Sequence, residues 1–226
     1  MRKTWFLAVL IFALPLFGND RDRGKASQRK FIEEVVLSDT GGNSMKVVRW
    51  AVSPSVSVFN HTGAPGEAVF SHASAQINAA LEPAKFQVSV LQPNSPAAPL
   101  KIVYCNRDQF PQTLKKYGAQ QVGGRFWAYY RWWDSRYQVE RAVAVISVEQ
   151  GSEAQAKEST LQALMVLLGF GGWSGEVIDS VLGPNRQQPR TELTDFDKKL
   201  LPFFFKNMQP GWEAFQVRRA FDKAWP

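Results

Sequence analysis

Residues 158–169 read ESTLQALMVLLG, and much of the fold class follows from this stretch. From Leu161 onward its apolar residues recur at i, i+3, i+4 and i+7, which is the spacing of an amphipathic helix. The spacing predicts a helix over 152–168. Gly169 follows directly, and glycine is the usual residue just beyond a helix C-terminus. The sequence therefore predicts an amphipathic helix that ends at Gly169.

A β-hairpin is predicted immediately before this helix. Residues 125–133 read RFWAYYRWW and residues 137–148 read YQVERAVAVISV. Both segments are rich in the aromatic and β-branched residues that favour strands. They meet at the polar turn 134–136, which reads DSR.

Alternation along the first hairpin strand places aromatic side chains on both of its faces. One face carries Trp127, Tyr129, Arg131 and Trp133. A strand packed on one side alone would not need aromatic residues on both, so either a second layer covers this face or the face is a recognition surface. Tryptophan and arginine are the residues that most often anchor interfaces. If a partner binds here, the candidate binding residues are therefore Trp127, Arg131 and Trp133.

The rest of the chain alternates between strand and helix patterns, so the predicted fold class is α+β, with a mixed sheet, the aromatic hairpin and packed helices. The predicted strands are 47–50, 56–59, 86–91 and 100–105. The predicted helices are 70–81, 110–117, a shorter one from Ser174, one from Thr194 to residue 205, and 211–225. We expect a single domain at 45–226, preceded by a polar lead-in at 19–44 with at most one short helix or strand.

The N-terminus has the pattern of a secretory signal peptide. Met1-Arg2-Lys3 contains two basic residues, residues 5–18 are uncharged and almost entirely apolar, and charges return at Asp20. A membrane-spanning helix needs roughly 20 apolar residues, and this stretch is shorter. We therefore expect a signal peptide at 1–18 and export to the periplasm or the extracellular space, with no membrane span after signal removal.

The composition limits the chemistry that the chain can perform. The formal net charge of +7 includes Arg2 and Lys3, and this modest excess does not indicate a nucleic-acid partner. The one cysteine, Cys105, excludes an internal disulfide and has no neighbouring histidine. The two histidines, His61 and His72, have no partner at ligand spacing. The sequence therefore predicts no catalytic residue, no metal site and no cofactor.

Four short motifs lie in the second half of the chain: ESTLQAL at 158–164, DSVL at 179–182, LTDFD at 193–197 and QPGW at 209–212. Together they resemble the C-terminal half of domain-of-unknown-function family 2927, and Arg49-Trp50 is similar to the opening strand of its members. The resemblance implies an exported bacterial protein. Residues 165–168, which intervene before Gly169, depart from the family pattern.

That family is in turn similar to zincin-type metallopeptidases, whose active-site helix carries His-Glu-x-x-His. The resemblance thus implies a zincin-like arrangement of helix and sheet. In one register the ligand positions are Glu158 and Gln162, and the general-base position is Ser159. An alternative register gives Gln162, Ala163 and Val166. Both registers lack the base, because serine and alanine cannot take a proton from metal-bound water.

Two functions follow as predictions. The first is an exported, non-enzymatic domain that keeps a vestigial motif at Glu158, Ser159 and Gln162 and binds a protein, peptide or glycan partner in the cell envelope. The alternative is a divergent metallopeptidase-like hydrolase that uses Glu158 with Asp179 or Asp197. The first is favoured because the motif lacks both histidines and the base.

Overall fold

The fold is that of a computed structural model, and the residues that it describes are 20–39, 45–61, 66–124, 126–148, 153–171, 173–176, 178–184 and 188–226. They form an α+β fold, as predicted. The predicted signal peptide at 1–18 lies outside them. Among the described residues, no helix is both long and apolar enough to cross a membrane.

Groups of two or three consecutive strands are separated by single helices, and α4, α5 and α6 follow one another at the end of the described part of the chain. In chain order the strands are β1 (Leu37–Asp39), β2 (Met45–Val47), β3 (Ser55–Asn60), β4 (Ser89–Val90), β5 (Leu100–Cys105), β6 (Gln121–Gly124), β7 (Trp127–Trp133) and β8 (Val139–Ser147). The helices are α1 (Asp20–Val36), α2 (Gly66–Leu81), α3 (Phe110–Tyr117), α4 (Glu153–Leu168), α5 (Asp195–Asn207) and α6 (Ala214–Ala224).

A six-stranded mixed sheet forms the centre of the fold, in the order β4-β3-β5-β8-β7-β6. The strands β4, β3, β5 and β8 run parallel, whereas β7 and β6 are antiparallel to their neighbours. In the middle of the sheet Leu100, Ile102 and Ile146 are fully buried. Parallel strands covered on both faces read as continuous apolar runs. The strand predicted at 100–105 is accordingly confirmed with the same bounds.

The predicted hairpin is formed by β7 and β8. Its turn is held by Asp134, whose Oδ1 accepts hydrogen bonds from the backbone N–H groups of Arg136 and Gln138, both at 2.9 Å. A third strand, β6, pairs antiparallel with β7 and was not predicted. Two of its four residues, Gly123 and Gly124, are glycines, which are depleted in strands and so give no strand pattern.

The helix predicted at 152–168 is α4, which packs between α2 and the strands β7 and β8. Every residue of 159–168 is buried. Gly169 ends the helix with a φ of 135°, and a Cβ atom there would lie 2.8 Å from the carbonyl oxygen of Val48. Both the backbone conformation and the close approach require glycine at this position.

The segment before residue 45 is more ordered than the sequence predicts. In place of at most one short element, it contains the 17-residue helix α1 and the strand β1. Phe31, Ile32 and Val35 are fully buried and belong to the same core as the rest of the domain. The Phe31 ring packs edge-on against Phe196 at a centroid distance of 5.2 Å. Charged and polar residues dominate the first half of α1, so the apolar stripe covers only its second half and is too short to predict a 17-residue helix.

Three other predictions differ from the structure. The short helix predicted from Ser174 is wrong, because the described residues of 173–184 form irregular backbone with bends and one turn. The strand predicted at 86–91 contracts to β4, and the strand at 47–50 shifts to β2. By contrast, α5 begins directly after Thr194, as predicted, and Thr194 and Asp197 form a capping box there.

Candidate functional site

Gln162, which the sequence predicts as the second ligand position of a vestigial motif, has a side chain that is 9% exposed. Its Nε2 donates a hydrogen bond to the carbonyl oxygen of Val181 at 3.0 Å. Its Oε1 accepts one from the indole Nε1 of Trp127 at 3.2 Å. Both ends of the amide are therefore engaged inside the core, where they join α4 to β7 and to the loop at 178–184.

The side chains at the two other motif positions, Ser159 and Glu158, also have structural surroundings. The Ser159 side chain is buried, with 1% exposure. Glu158 is half-buried, and its Oε1 accepts a hydrogen bond from the backbone N–H of Arg190 at 3.1 Å. The other oxygen, Oε2, accepts from Nε2 of Gln155 at 3.2 Å. The Glu158 carboxylate thus links the backbone at Arg190 to the surface of α4.

The two other positions of the alternative register, Ala163 and Val166, are buried more deeply than Gln162. Ala163 and Val166 lie in the main core cluster, with almost no exposed surface. Neither position faces a space that a ligand could enter, and neither side chain has an atom that binds zinc. Among the positions of the two registers, only Glu158 carries a carboxylate, and this side chain is half-buried.

The two aspartates of the predicted hydrolase occupy different surroundings. Asp179 is exposed and forms an ion pair with the guanidinium of Arg190, so it shares this arginine with Glu158. Asp197 is fully buried and accepts hydrogen bonds from the Ser180 hydroxyl at 2.5 Å and from the Val181 N–H at 3.0 Å. Burial raises the pKa of the Asp197 carboxyl, and these hydrogen bonds oppose that rise.

The hairpin face proposed for partner binding is covered in the structure. Trp127 is 1% exposed and Arg131 is 4% exposed, while Trp133 is half-buried against the same core. Arg131 Nη2 donates to the Ser38 hydroxyl at 2.8 Å, and α4 packs on β7 from the same side. The interpretation of Trp127 and Arg131 as a partner-binding surface is therefore wrong, because a second layer lies over them. Their aromatic and apolar atoms supply the core instead.

The opposite face of the hairpin is also covered. Ala128 is buried in a second, smaller core cluster, and Tyr130 and Trp132 pack against it. Phe110 and Leu114 of the helix α3 also pack against this cluster. Both faces of β7 are thus packed, which accounts for the aromatic residues on each.

Two buried arginines distinguish this side of the sheet. Arg49 Nη1 donates to the carbonyl oxygens of Phe205 and Met208, both at 3.0 Å, at the C-terminal end of α5. Arg131 is held by the Ser38 hydroxyl, and its Nε has no hydrogen-bond partner in the described part of the chain. Burial lowers the pKa of each guanidinium to about 10, so both stay charged at neutral pH. The carbonyl groups at a helix C-terminus carry partial negative charge, which suits the Arg49 cation.

Neither the histidines nor the cysteine forms a hydrogen bond with Glu158, Ser159 or Gln162 in the described part of the chain. His61 is exposed, and its Nε2 lies 3.0 Å from the Tyr117 hydroxyl. His72 Nε2 lies 3.0 Å from the carbonyl oxygen of Thr191. Cys105 is buried, and burial raises the pKa of its thiol. Within the described ranges, no group of three or more His, Cys, Asp or Glu side chains is placed to hold a metal ion.

A surface groove that the sequence does not predict lies where the end of α5 meets α6. Its volume is about 590 Å³. Its lining includes Lys206, Trp212, Phe215, Arg219 and Lys223. The pattern that could have revealed it is the i, i+4, i+8 series of Phe215, Arg219 and Lys223, which lies off the apolar stripe of α6.

No family model matches the chain, and no curated protein matches it. Among solved structures it is similar to that of myroilysin, with 8% sequence identity over 70% of this chain and 95% of that chain and a TM-score of 0.39. Similarity at this level does not establish a shared fold. The family resemblance and the zincin-like arrangement therefore stay predictions from the sequence motifs.

Proposed function

We propose that the chain is a non-enzymatic binding domain with a zincin-like arrangement, in which the former active-site helix α4 has a structural role. The observation that carries this proposal is the side-chain amide of Gln162, which is hydrogen-bonded at both ends within the core. A zinc ligand needs a lone pair directed at the metal, and a catalytic zinc also keeps one open position. The Gln162 amide instead stabilises the contact between α4 and β7.

The surroundings of Glu158 support the same proposal. Zinc hydrolysis requires a base beside the metal-bound water. At the corresponding position Ser159 is buried and has no basic group. The Glu158 oxygens already accept hydrogen bonds from Arg190 and Gln155, which gives this carboxylate an architectural contact.

A quenched fluorescent peptide library, assayed with and without added zinc, tests this function. We expect no zinc-dependent cleavage by the parent chain and the same result for Glu158→Ala. The matched control is Glu153→Ala, which removes a carboxylate from the exposed start of the same helix. Cleavage by the parent that falls by on the order of a hundredfold in Glu158→Ala, with the fold preserved, would show that the domain is an enzyme.

A second candidate function rests on the contacts of Arg190. Its backbone N–H donates to Glu158 and its guanidinium pairs with Asp179, so these two carboxylates meet at one residue. Paired carboxylates with different surroundings can act as general acid and base. A hydrolase of this kind would lose its activity in both Glu158→Gln and Asp179→Asn. Asp195→Asn, at an exposed aspartate, is the control.

The proposed binding domain acts outside the cytoplasm, as the signal-peptide pattern at 1–18 predicts. The intact mass of the protein recovered from the exported fraction tests this. A mass that begins near Asn19 agrees with export and cleavage. A membrane-embedded species that keeps residues 1–18 contradicts it.

A further inference from the structure

The groove between α5 and α6 has both apolar and charged walls. Trp212 and Phe215 supply the aromatic surface, and Phe215 is 62% exposed. Lys206, Arg219 and Lys223 supply the charge. A groove of about 590 Å³ is within the size range of ligand-binding clefts. An exposed phenylalanine beside a concave surface is also the kind of anchor that interfaces use.

The charges on the two sides of α6 are arranged differently. On the side facing α1, Arg218 pairs with Glu33 at 3.0 Å and Asp222 pairs with Arg29 at 3.8 Å. On the groove side, Arg219 and Lys223 are exposed and one helical turn apart.

The groove cations are not held in ion pairs within the described ranges. Neither Arg219 nor Lys223 forms an ion pair with another described residue, and neither does Lys206. The carboxylate of Glu213, at the start of α6, pairs with Lys46. The groove is therefore a local concentration of positive charge, which attracts an anionic ligand.

Two amide side chains that line the groove, those of Asn207 and Gln216, indicate which kind of anionic ligand fits it. Asn207 Nδ2 donates to the Phe203 carbonyl at 3.0 Å, which leaves Oδ1 as an acceptor. Gln216 Oε1 accepts from the Glu213 N–H at 2.8 Å, which leaves Nε2 as a donor. A peptide backbone offers both N–H and C=O groups to such a pair, whereas a phosphodiester offers acceptors alone.

We propose that this groove binds an acidic peptide segment that carries a large apolar side chain. Carboxylates of the segment pair with Arg219, Lys223 and Lys206, while the apolar side chain packs on Trp212 and Phe215. The backbone of the segment meets the amide groups between them. This inference rests on the proposed binding function and specifies the class of its partner.

Fluorescence anisotropy with a short labelled peptide of alternating Glu and Phe residues tests the proposal on the full chain. The double variant Arg219→Glu/Lys223→Glu should weaken binding by on the order of tenfold or more, because opposite charges become like charges. The matched control Lys115→Glu/Lys199→Glu changes the net charge equally at exposed lysines outside the groove, so its affinity should stay within about twofold of the parent. A peptide with Gln in place of Glu should bind weakly to every form.

Phe215→Ala provides a second variant, since an exposed side chain contributes little to folding. It should weaken binding of the same peptide by about threefold to tenfold. Circular dichroism of each variant checks that the fold is kept. If the charge-reversal variant unfolds, Phe215→Ala alone decides, and unchanged affinity in it would overturn the proposal.

Other results would also overturn the proposal. Equal losses in the groove variant and the control would mean attraction by overall charge. No binding of the peptide by the parent chain, or groove-dependent binding only of anionic phospholipid vesicles or single-stranded DNA, would exclude an acidic peptide as the partner. The proposed function fails separately, because Glu158-dependent cleavage would make the domain an enzyme and leave the groove result unchanged.

Discussion

The indole Nε1 of Trp127 donates a hydrogen bond to the Oε1 of Gln162, 35 residues further along the chain. Both groups are buried, and the other end of the amide reaches the Val181 carbonyl. One glutamine thus joins a strand, a helix and a loop. Two residues that the sequence assigns to different roles, a partner-binding tryptophan and a vestigial zinc ligand, form one structural contact.

Gln162→Leu should therefore destabilise the fold. The substitution keeps a side chain of similar size but leaves the Trp127 N–H and the Val181 carbonyl unsatisfied, at a cost of about 1–3 kcal/mol. Urea unfolding measures the loss. Gln112→Leu, at an exposed position of α3, is the control and should change the free energy of unfolding by less than about 0.5 kcal/mol. Equal effects of the two substitutions would mean that the buried amide contributes nothing.

Trp127→Ala should cost about 3–5 kcal/mol, because it leaves a cavity in a packed core. The matched variant is Trp173→Ala, which removes an exposed tryptophan that contacts Trp127 edge-on. Its cost should be clearly smaller. Thermal unfolding of the two variants gives the comparison. An unchanged midpoint for Trp127→Ala would restore the interpretation of this face as an open surface.

Arg49→Lys should destabilise the domain although the charge is kept. One amine cannot reproduce the planar fork that donates to the Trp50, Phe205 and Met208 carbonyls. We expect a loss of about 1–3 kcal/mol in the free energy of unfolding, because buried carbonyls lose their donors. Arg136→Lys, at an exposed turn residue, is the control. Equal stability of Arg49→Lys and the parent would show that the fork is dispensable.

Asp197→Asn tests the effect of burial on a carboxyl group. Burial raises the pKa of Asp197 above its ordinary value of 3.8, so the folded chain holds the proton more tightly than the unfolded chain. The contribution of the Asp197 carboxyl to stability is complete below the pKa that this group has in the unfolded chain. It is lost as the pH rises through the higher pKa that the group has in the folded chain. The stability advantage of the parent over Asp197→Asn should thus shrink as the pH rises from about 4, near the ordinary pKa of the group, towards neutral. Urea unfolding across this range measures it, and an advantage that grows with pH would contradict the direction of the shift.

Local patterns made several elements predictable. The helix α3 and the strand β5 have the bounds that periodicity and composition indicate. The capping box at Thr194 fixes the start of α5, and Gly169 fixes the end of α4. In each case residues close together in the sequence determine the element or its boundary, so the prediction does not require the tertiary structure.

Tertiary contacts decided the rest. Alternation shows that both faces of β7 are aromatic, but it cannot show that α4 covers one face and α3 packs near the other. The apolar stripe of α1 is short and becomes a core element only because α6 and Phe196 pack on it. The groove at Phe215 arises where α5 and α6 meet, so the series of exposed residues on α6 could indicate one wall, but the sequence does not show that Lys206 lies across from it.

The zinc content of the purified full chain, measured after equilibration with zinc and removal of the excess, tests the proposed non-enzymatic role most directly. We predict far less than stoichiometric zinc, with the same value for Glu158→Ala, because the Gln162 amide is engaged at both ends and Ser159 is buried. Stoichiometric zinc in the parent chain that is lost in Glu158→Ala would contradict this role and establish α4 as a metal-binding helix.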